Sequence, residues 1–485
     1  MEHHPMRAEA LRTLRLDDTP LMLSIDGQAR EGESRFEVID PATAQPFATA
    51  PEASLAQLDE AVAAARRAQP AWAARPWAER RQKLLALADL LLQDLESLAW
   101  LITLEQGKPL PRARDEVARA AAQLQRLVAL DVPVETLRED AQGRVELHHR
   151  PLGVVGAITP WNMPLVLCVP KIVHALLTGN TIVVKPSPYT PLSALRFAQR
   201  AQALLPAGTL NMVSGGNDLG RALAEHPDIQ KISFTGSAAT GRKVMASSAG
   251  TLKRLTLELG GNDAAIVLPD ADPEAIAQPL FNAAFANSGQ ICMAIKRLYV
   301  HERLHGAVCE ALAQRAKAVA VGGGFEPGVV LGPVQNAAQH RIVLGILDDA
   351  RERGARFHAG AQALDREGYF IAPTVVSGLA DDSRLVAEEP FGPVLPVLSF
   401  TDVDEAVQRA NASPYGLTGS VWGRDVPAAA RVAARLEVGT ASVNQHLWLD
   451  AQIPFGGAKQ SGLGSEYAAQ GLKHYMQAHV VNAPA

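Results

Sequence analysis

The 485-residue sequence is 47% hydrophobic and 20% charged, with a net charge of −5 and a pI near 6.2. That balance excludes fibrous and disordered chains, and the interspersed acidic excess argues against a nucleic-acid or anionic-membrane partner. No apolar run approaches the roughly 20 residues of a membrane helix, and the length points to about two or three domains.

Met1 to Arg15 carries charges and lacks an apolar h-region, so it does not read as a signal peptide. The first ~20 residues read as a loosely held extension. Ser54 and Gln57 form a capping box ahead of an Ala-rich helix expected to stop before Pro70. Leu84, Leu87, Leu91, Leu95, Leu98 and Ile102 then recur at helical spacing, with Gly107 and Pro109 ending the pattern.

From Gly153 the texture changes. Short β-branched runs (153–158, 181–184, 231–234) alternate with helical stretches such as 191–205 and 219–225. A second alternating set follows at 264–268, 297–300 and 394–398. Unbroken apolar strands separated by helices are the pattern of parallel sheets covered on both faces, so two α/β domains are expected.

Three cysteines are too few for a disulfide framework, and reduced thiols in a cytoplasmic setting are expected. Cys168 and Cys309 lie in runs that read as core or helix, where a lone Cys is usually a small hydrophobe. Cys292 follows Asn287-Ser288-Gly289-Gln290-Ile291, a polar Gly-containing turn that can expose a thiol, which makes it a candidate nucleophile. His301-Glu302-Arg303-Leu304-His305 matches a zinc-binding pattern, but His301 directly follows a strand-like run and no third ligand is evident. No metal is expected. Neither G-x-G-x-x-G nor G-x-S-x-G occurs. Phe234 to Gly241 reads as a strand ending in a Gly/Ser/Thr turn that opens a helix, which can take a phosphate or simply be well capped.

Seven segments in this order are together very specific: Pro160-Trp161-Asn162-Met163-Pro164, Val184-Lys185-Pro186-Ser187, Phe234-Thr235-Gly236-Ser237, Leu257-Glu258-Leu259-Gly260-Gly261, Gly289-Gln290-Ile291-Cys292, Glu389-Pro390-Phe391-Gly392-Pro393 and Pro454-Phe455-Gly456-Gly457. From about Ile25 to His474 the chain resembles the aldehyde dehydrogenase superfamily.

The resemblance implies a Rossmann-like parallel-sheet cofactor domain (1–131 and 152–260) and an α/β catalytic domain (261–460). It also implies a small β-hairpin extension (132–151) joined by the tail (470–485) in forming a homodimer or homotetramer. Cys292 would attack the aldehyde, with Asn162 and the Cys292 backbone N–H as oxyanion donors. Losing one such donor costs about 3 kcal/mol of barrier. Glu258 would activate the water that hydrolyses the thioester; relatives that acylate coenzyme A typically lack this base. Its presence favours the free acid as product over the CoA-acylating alternative. The intact set Asn162, Glu258 and Cys292 argues against a catalytically silent binding protein.

By the same resemblance, Ile158, Trp161, Lys185, Ser187, Phe234, Gly236, Ser237, Thr240, Gly241, Leu259, Glu389 and Phe391 would contact the cofactor. Pro188 stands where many NAD-preferring members have Glu. NAD is expected, because no extra Arg accompanies Lys185, and NADP stays open. The substrate, a small-molecule aldehyde, would meet Met163, Leu167, Ile291, Met293, Leu449 and Phe455. These apolar residues favour an uncharged aliphatic or aromatic aldehyde over a carboxylated semialdehyde.

Overall fold

The computed structural model describes residues 5–485. The β-branched runs become an eight-stranded sheet whose five central strands are parallel. In chain order these are Val154–Ile158, Thr181–Lys185, Leu210–Met212, Lys231–Thr235 and Arg254–Glu258. Numbered that way they lie in the spatial order 3-2-1-4-5. That is the order of a Rossmann-like sheet, in which the winding direction reverses beside the first strand and leaves a crevice at the strands' C-terminal ends. Strands Leu23–Ile25 and Gln28–Arg30 extend one edge, and Gly462–Leu463 returns from the C-terminal region to the other.

A second, seven-stranded sheet runs 356–359, 374–377, 394–400, 295–301, 263–267, 418–422 and 440–443, with all neighbours parallel except the first pair. Glu258 closes a strand of the first sheet and Asp263 opens one of the second, so four residues carry the chain between them. Ser461 ties this passage down: its Oγ donates to the Gly260 carbonyl at 2.7 Å and its carbonyl accepts from Leu259 N at 2.8 Å. A third sheet consists of Glu135–Asp140, Gly143–Pro151 and the C-terminal Met476–Pro484.

Three local expectations differ from the observed elements. The helix Leu55–Ala73 keeps the Ser54/Gln57 capping box but runs through Pro70. Tertiary contacts hold its last turn, where buried Trp72 donates to the Leu176 carbonyl at 2.9 Å and Arg80 Nη1, from the next helix, donates to the Ala73 carbonyl at 3.2 Å. The Leu-rich stretch is two helices, Trp77–Gln93 and Leu95–Gln106, broken at Asp94. There the carboxylate receives a two-pronged bond from Arg196 (2.6 and 2.8 Å), a reason invisible in local spacing. Gly107 ends the second helix at φ +90°, where a Cβ would also press on Pro41 and Pro333. Of the N-terminal extension, residues 1–4 lie outside the described residues. Pro5–Leu14 is a helix that buries Ala10 and Leu14, with Arg7 Nε on Asp40 at 2.9 Å.

Asn180 joins the first sheet to the C-terminal segment. Its Oδ1 accepts from Gly153 N at 2.8 Å, and its Nδ2 donates to the Tyr475 carbonyl at 2.9 Å and to Thr178 Oγ1 at 2.8 Å. Asn180→Ala strands these buried groups and is expected to destabilise the protein by about 2–4 kcal/mol. An unchanged urea or thermal unfolding midpoint would contradict this.

Candidate active site

Cys292 sits at the end of a turn that the backbone makes only under constraint. Asn287 (φ 51°), Ser288 (φ 56°) and Gly289 (φ 73°) are successive left-handed residues, costing about 1–3 kcal/mol for each non-glycine. The surroundings hold this conformation. Ser288 Oγ donates to the Gly332 carbonyl at 2.7 Å, and Gln290 Nε2 donates to the Asn287 and Pro333 carbonyls at 2.9 and 3.2 Å. A Cβ on Gly289 would clash with the Gly392 carbonyl, so the turn lies directly against the Glu389–Gly392 segment.

Asn162 is buried on a second loop, between the strand Val154–Ile158 and the helix Val169–Leu177. Its Nδ2 donates to the Gln290 carbonyl at 2.8 Å, and its own carbonyl accepts from Lys108 Nζ at 3.1 Å and Asn287 Nδ2 at 3.2 Å. Lys108 also pairs with Glu116, whose Oε1 receives Leu165 N at 3.0 Å. A buried ion pair, which local sequence gives no reason to single out, therefore clamps the Asn162 loop.

Glu258 is buried, and neither carboxyl oxygen has a hydrogen-bond partner among the described residues. Burial, and then Glu466, push its pKa well up, against the pull of Lys171. Burial also pushes Glu466 up, but its partner Lys171, together with His174 and Lys231, outweighs that and holds Glu466 ionised. The Cys292 thiol is pushed up to about 12 by burial; Lys296 opposes the shift, and Glu389, Asp263 and Glu258 reinforce it. Asn162, Glu258 and Cys292 are thus brought to one place, while Lys108, Glu116, Lys171, Glu466 and Lys296 join them without having been anticipated.

The residues expected on the cofactor side gather at the C-terminal ends of the parallel strands. Ile158 is in register with Lys185 on one side and Phe234 on the other. Ser237 caps the helix Ala238–Ser248, its Oγ accepting from Thr240 N at 3.2 Å and its carbonyl from Gly241 N at 2.9 Å. Gly236 N donates to the Glu258 carbonyl at 3.0 Å, and Leu259 lies in the passage between the sheets. Trp161 meets Phe391 edge-on at 5.3 Å, and Glu389 Oε1 accepts from Gly261 N at 3.3 Å. Ser187 Oγ accepts from Tyr189 N at 3.3 Å.

These residues fit a dinucleotide. Lys185 Nζ donates to two carbonyls, of Pro186 (3.0 Å) and Gly215 (2.9 Å), which leaves one N–H for a ribose hydroxyl. Thr159 and Thr235, just beyond the first strand and at the end of the fourth, keep buried hydroxyls with no partner among the described residues. These unpaired donors and acceptors stand at the crevice where an open parallel sheet binds its ligand.

Met293 and Phe455 are buried in the large apolar core of the first domain, with Ile291, Leu449 and Cys292 itself packed against it. Val166, Leu447 and Tyr467 belong to the same cluster and were not anticipated. Met163 and Leu167 are half-buried on the Asn162 loop, with the Met163 sulfur 3.2 Å from Lys108 Nζ. Cys168 and Cys309 are buried. His301 ends a strand and caps the next helix through Arg303 N at 3.4 Å, while His305 faces the Val397 carbonyl at 3.3 Å, so the two rings serve separate packing roles.

A sequence profile of the aldehyde dehydrogenase family matches residues 28–481. The chain is 40% identical to phenylacetaldehyde dehydrogenase of Pseudomonas fluorescens over 474 residues, covering 94% of each chain. It is 36% identical to aldehyde dehydrogenase, cytosolic 1, of Rattus norvegicus, covering 97% of this chain and 96% of that one. Betaine aldehyde dehydrogenase of Staphylococcus aureus, solved in complex with NAD+, superposes with a TM-score of 0.95 at 32% identity, covering 98% and 97%. The chain belongs to the aldehyde dehydrogenase family.

Proposed function

We propose that the protein oxidises an uncharged aldehyde to the free carboxylic acid with NAD, through a covalent acyl group on Cys292. The observation that carries this is the convergence of Cys292, Asn162 and the unpaired carboxyl of Glu258 between a Rossmann-like crevice and an apolar cluster.

Cys292, deprotonated, attacks the carbonyl carbon and the carbonyl oxygen becomes an oxyanion. An amide nitrogen has two N–H groups. The bond to the Gln290 carbonyl uses one on Asn162 and fixes the amide's plane, leaving the other, with the Cys292 backbone N–H, for that oxygen. A bound nicotinamide supplies the hydride acceptor. Of the dinucleotide, Lys185 and Ser187 would hold the adenosine ribose, Ser237 the pyrophosphate, and Glu389 with Phe391 the nicotinamide ribose. The acyl group remains on Cys292 as a thioester. Glu258 in its ionised form takes a proton from water, whose oxygen attacks the thioester and releases the acid and the thiol. The phenylacetaldehyde relative supports an uncharged aromatic aldehyde, as does the apolar lining.

We also assign the domain division 1–131 with 152–260, 261–460, and 132–151 with 470–485 to cofactor binding, catalysis and assembly. The three-stranded sheet exposes Val134, Leu137, Val480 and Val481 at or beside its strands, which supports a homo-oligomer built through it. No helix among the described residues is long and apolar enough to cross a membrane, and a cytosolic relative supports a cytoplasmic setting.

Cys292→Ser is expected to lose about a thousandfold or more in activity. Glu258→Gln should slow acyl-enzyme hydrolysis about a hundredfold or more, with the acyl group visible as added mass on the protein. Because the pKa of Glu258 is raised, its neutral form prevails at low pH and the base appears as pH rises. Hydrolysis in single turnover should therefore climb with pH in the parent enzyme, and Glu258→Gln should lose that climb. Fast, pH-independent turnover by the variant, or a strict need for coenzyme A, would refute the assignment.

A second test is a substrate panel run with both NAD and NADP. Uncharged aromatic and aliphatic aldehydes should exceed carboxylated semialdehydes by about tenfold or more in kcat/KM. A semialdehyde as best substrate would overturn the specificity reading.

A further inference from the structure

Lys296 is the second residue of the strand Ile295–His301, four residues after Cys292, and its side chain is 3% exposed. Its Nζ donates to the Ile291 carbonyl at 2.8 Å and to the Cys292 carbonyl at 2.6 Å, and it pairs with Glu389 Oε1 at 3.1 Å. An ammonium has three N–H groups, so all are committed: two to the nucleophile's own loop and one to the carboxylate on the cofactor side. A lysine buried only for packing could satisfy itself on any carbonyls. This one bridges the two segments that the proposed chemistry needs in register.

Its charge matters as much as its bonds. The groups facing the Cys292 thiol are Glu389, Asp263 and Glu258, which disfavour a thiolate, and Lys296, which favours it. Tyr467 lies close enough to feel the Cys292 charge. His446, whose Nε2 contacts the Met293 carbonyl at 2.8 Å, feels Lys296, and burial keeps that ring neutral. Glu389 and Cys292 thus draw on one cation. What Glu389 neutralises, the thiolate cannot use.

We propose that Lys296 is a positioning residue that fixes the nucleophile loop through its carbonyls and sets Cys292 reactivity by a charge it shares with Glu389. The inference rests on the reading of Cys292 as the nucleophile. It predicts effects of opposite sign at the two partners: removing Lys296 suppresses the thiolate, whereas neutralising Glu389 frees the cation and promotes it.

The test is the rate of iodoacetamide alkylation of the cofactor-free enzyme from about pH 6 to 10, with the labelled residue located by mass spectrometry. Cys292→Ser gives the background from the other two thiols. For Lys296→Met the reactivity profile should move up by about one pH unit, so that labelling at a fixed pH below the midpoint is about tenfold slower. Lys296→Arg should move less, and Glu389→Gln should move the profile down. Coincident profiles for the parent and Lys296→Met, equal shifts in Met and Arg variants, or shifts of the same sign at Lys296 and Glu389 would overturn the proposal. If Lys296→Met does not fold, Glu389→Gln decides alone: a downward shift supports the shared charge, and no shift or an upward one overturns it. If the parent enzyme labels elsewhere than Cys292, the nucleophile reading itself fails. Labelling at Cys292 with an unmoved Lys296→Met profile sinks only the role of Lys296.

Discussion

A carboxyl group without a hydrogen-bond donor in a protein core has to be kept there by its surroundings, and Glu258 is such a group. An isolated carboxylate in that position would cost several kcal/mol, and burial together with Glu466 accordingly raises its pKa well above the usual carboxylate range. Its backbone, in contrast, is fully held. Glu258 pairs with Thr235 on one side and Gly462 on the other, and its carbonyl accepts from Gly236 N. A rigid main chain therefore presents a side chain whose two oxygens are uncommitted. That combination suits a proton carrier, which must exchange its proton without rearranging the fold.

The same economy governs the loops that face it. Backbone carbonyls in an irregular, buried turn have no sheet or helix to satisfy them. Here buried lysines do so: Lys108 reaches the Asn162 carbonyl, and Lys296 reaches those of Ile291 and Cys292. Each lysine carries its own carboxylate, Glu116 or Glu389, so the charge costs less to bury. The left-handed run at Asn287–Gly289 is tolerable because the Gly392 backbone and the Gly332 and Pro333 carbonyls close in on it. Strain in the turn and the fixed aim of the thiol have one origin.

Much of this was legible in the sequence, for identifiable reasons. The parallel strands announced themselves because a strand buried on both faces is a near-continuous apolar run, as in 182–184. Cys292 stood out by its polar, glycine-containing turn, and Asn162 and Glu258 through the segments that carry the family resemblance. The supporting groups did not. Lys171 and Glu466 are 295 residues apart, and nothing in either neighbourhood tells a buried pair from two solvated charges. Lys296 sits at the head of an apolar strand, where its stem could equally have packed alongside its neighbours with the head in solvent. The break at Asp94 and the helix through Pro70 were hidden for a related reason. Arg196, and the bond from Trp72 to the Leu176 carbonyl, decide them from distant parts of the chain.

The charges around Cys292 are not spread evenly, and their distribution bears on what can react there. Glu258, Asp263, Glu389 and Lys296 all act on the thiol, and through Glu389 they connect with the crevice side. The apolar core against which Cys292 packs, with Phe455 and Met293 in it and Leu449 and Val166 beside it, contributes no charge. A neutral aldehyde of the kind proposed would bring no ion to be desolvated beside Cys292. The only new charge is then the one the reaction creates on oxygen, beside Asn162. An aldehyde bearing its own carboxylate would instead bury a further anion near Glu389 and Asp263, which already share Lys296. Burial does most to raise the thiol's pKa, and the acids add to it; the same Coulomb repulsion would oppose an anionic substrate, in line with the uncharged aldehyde proposed.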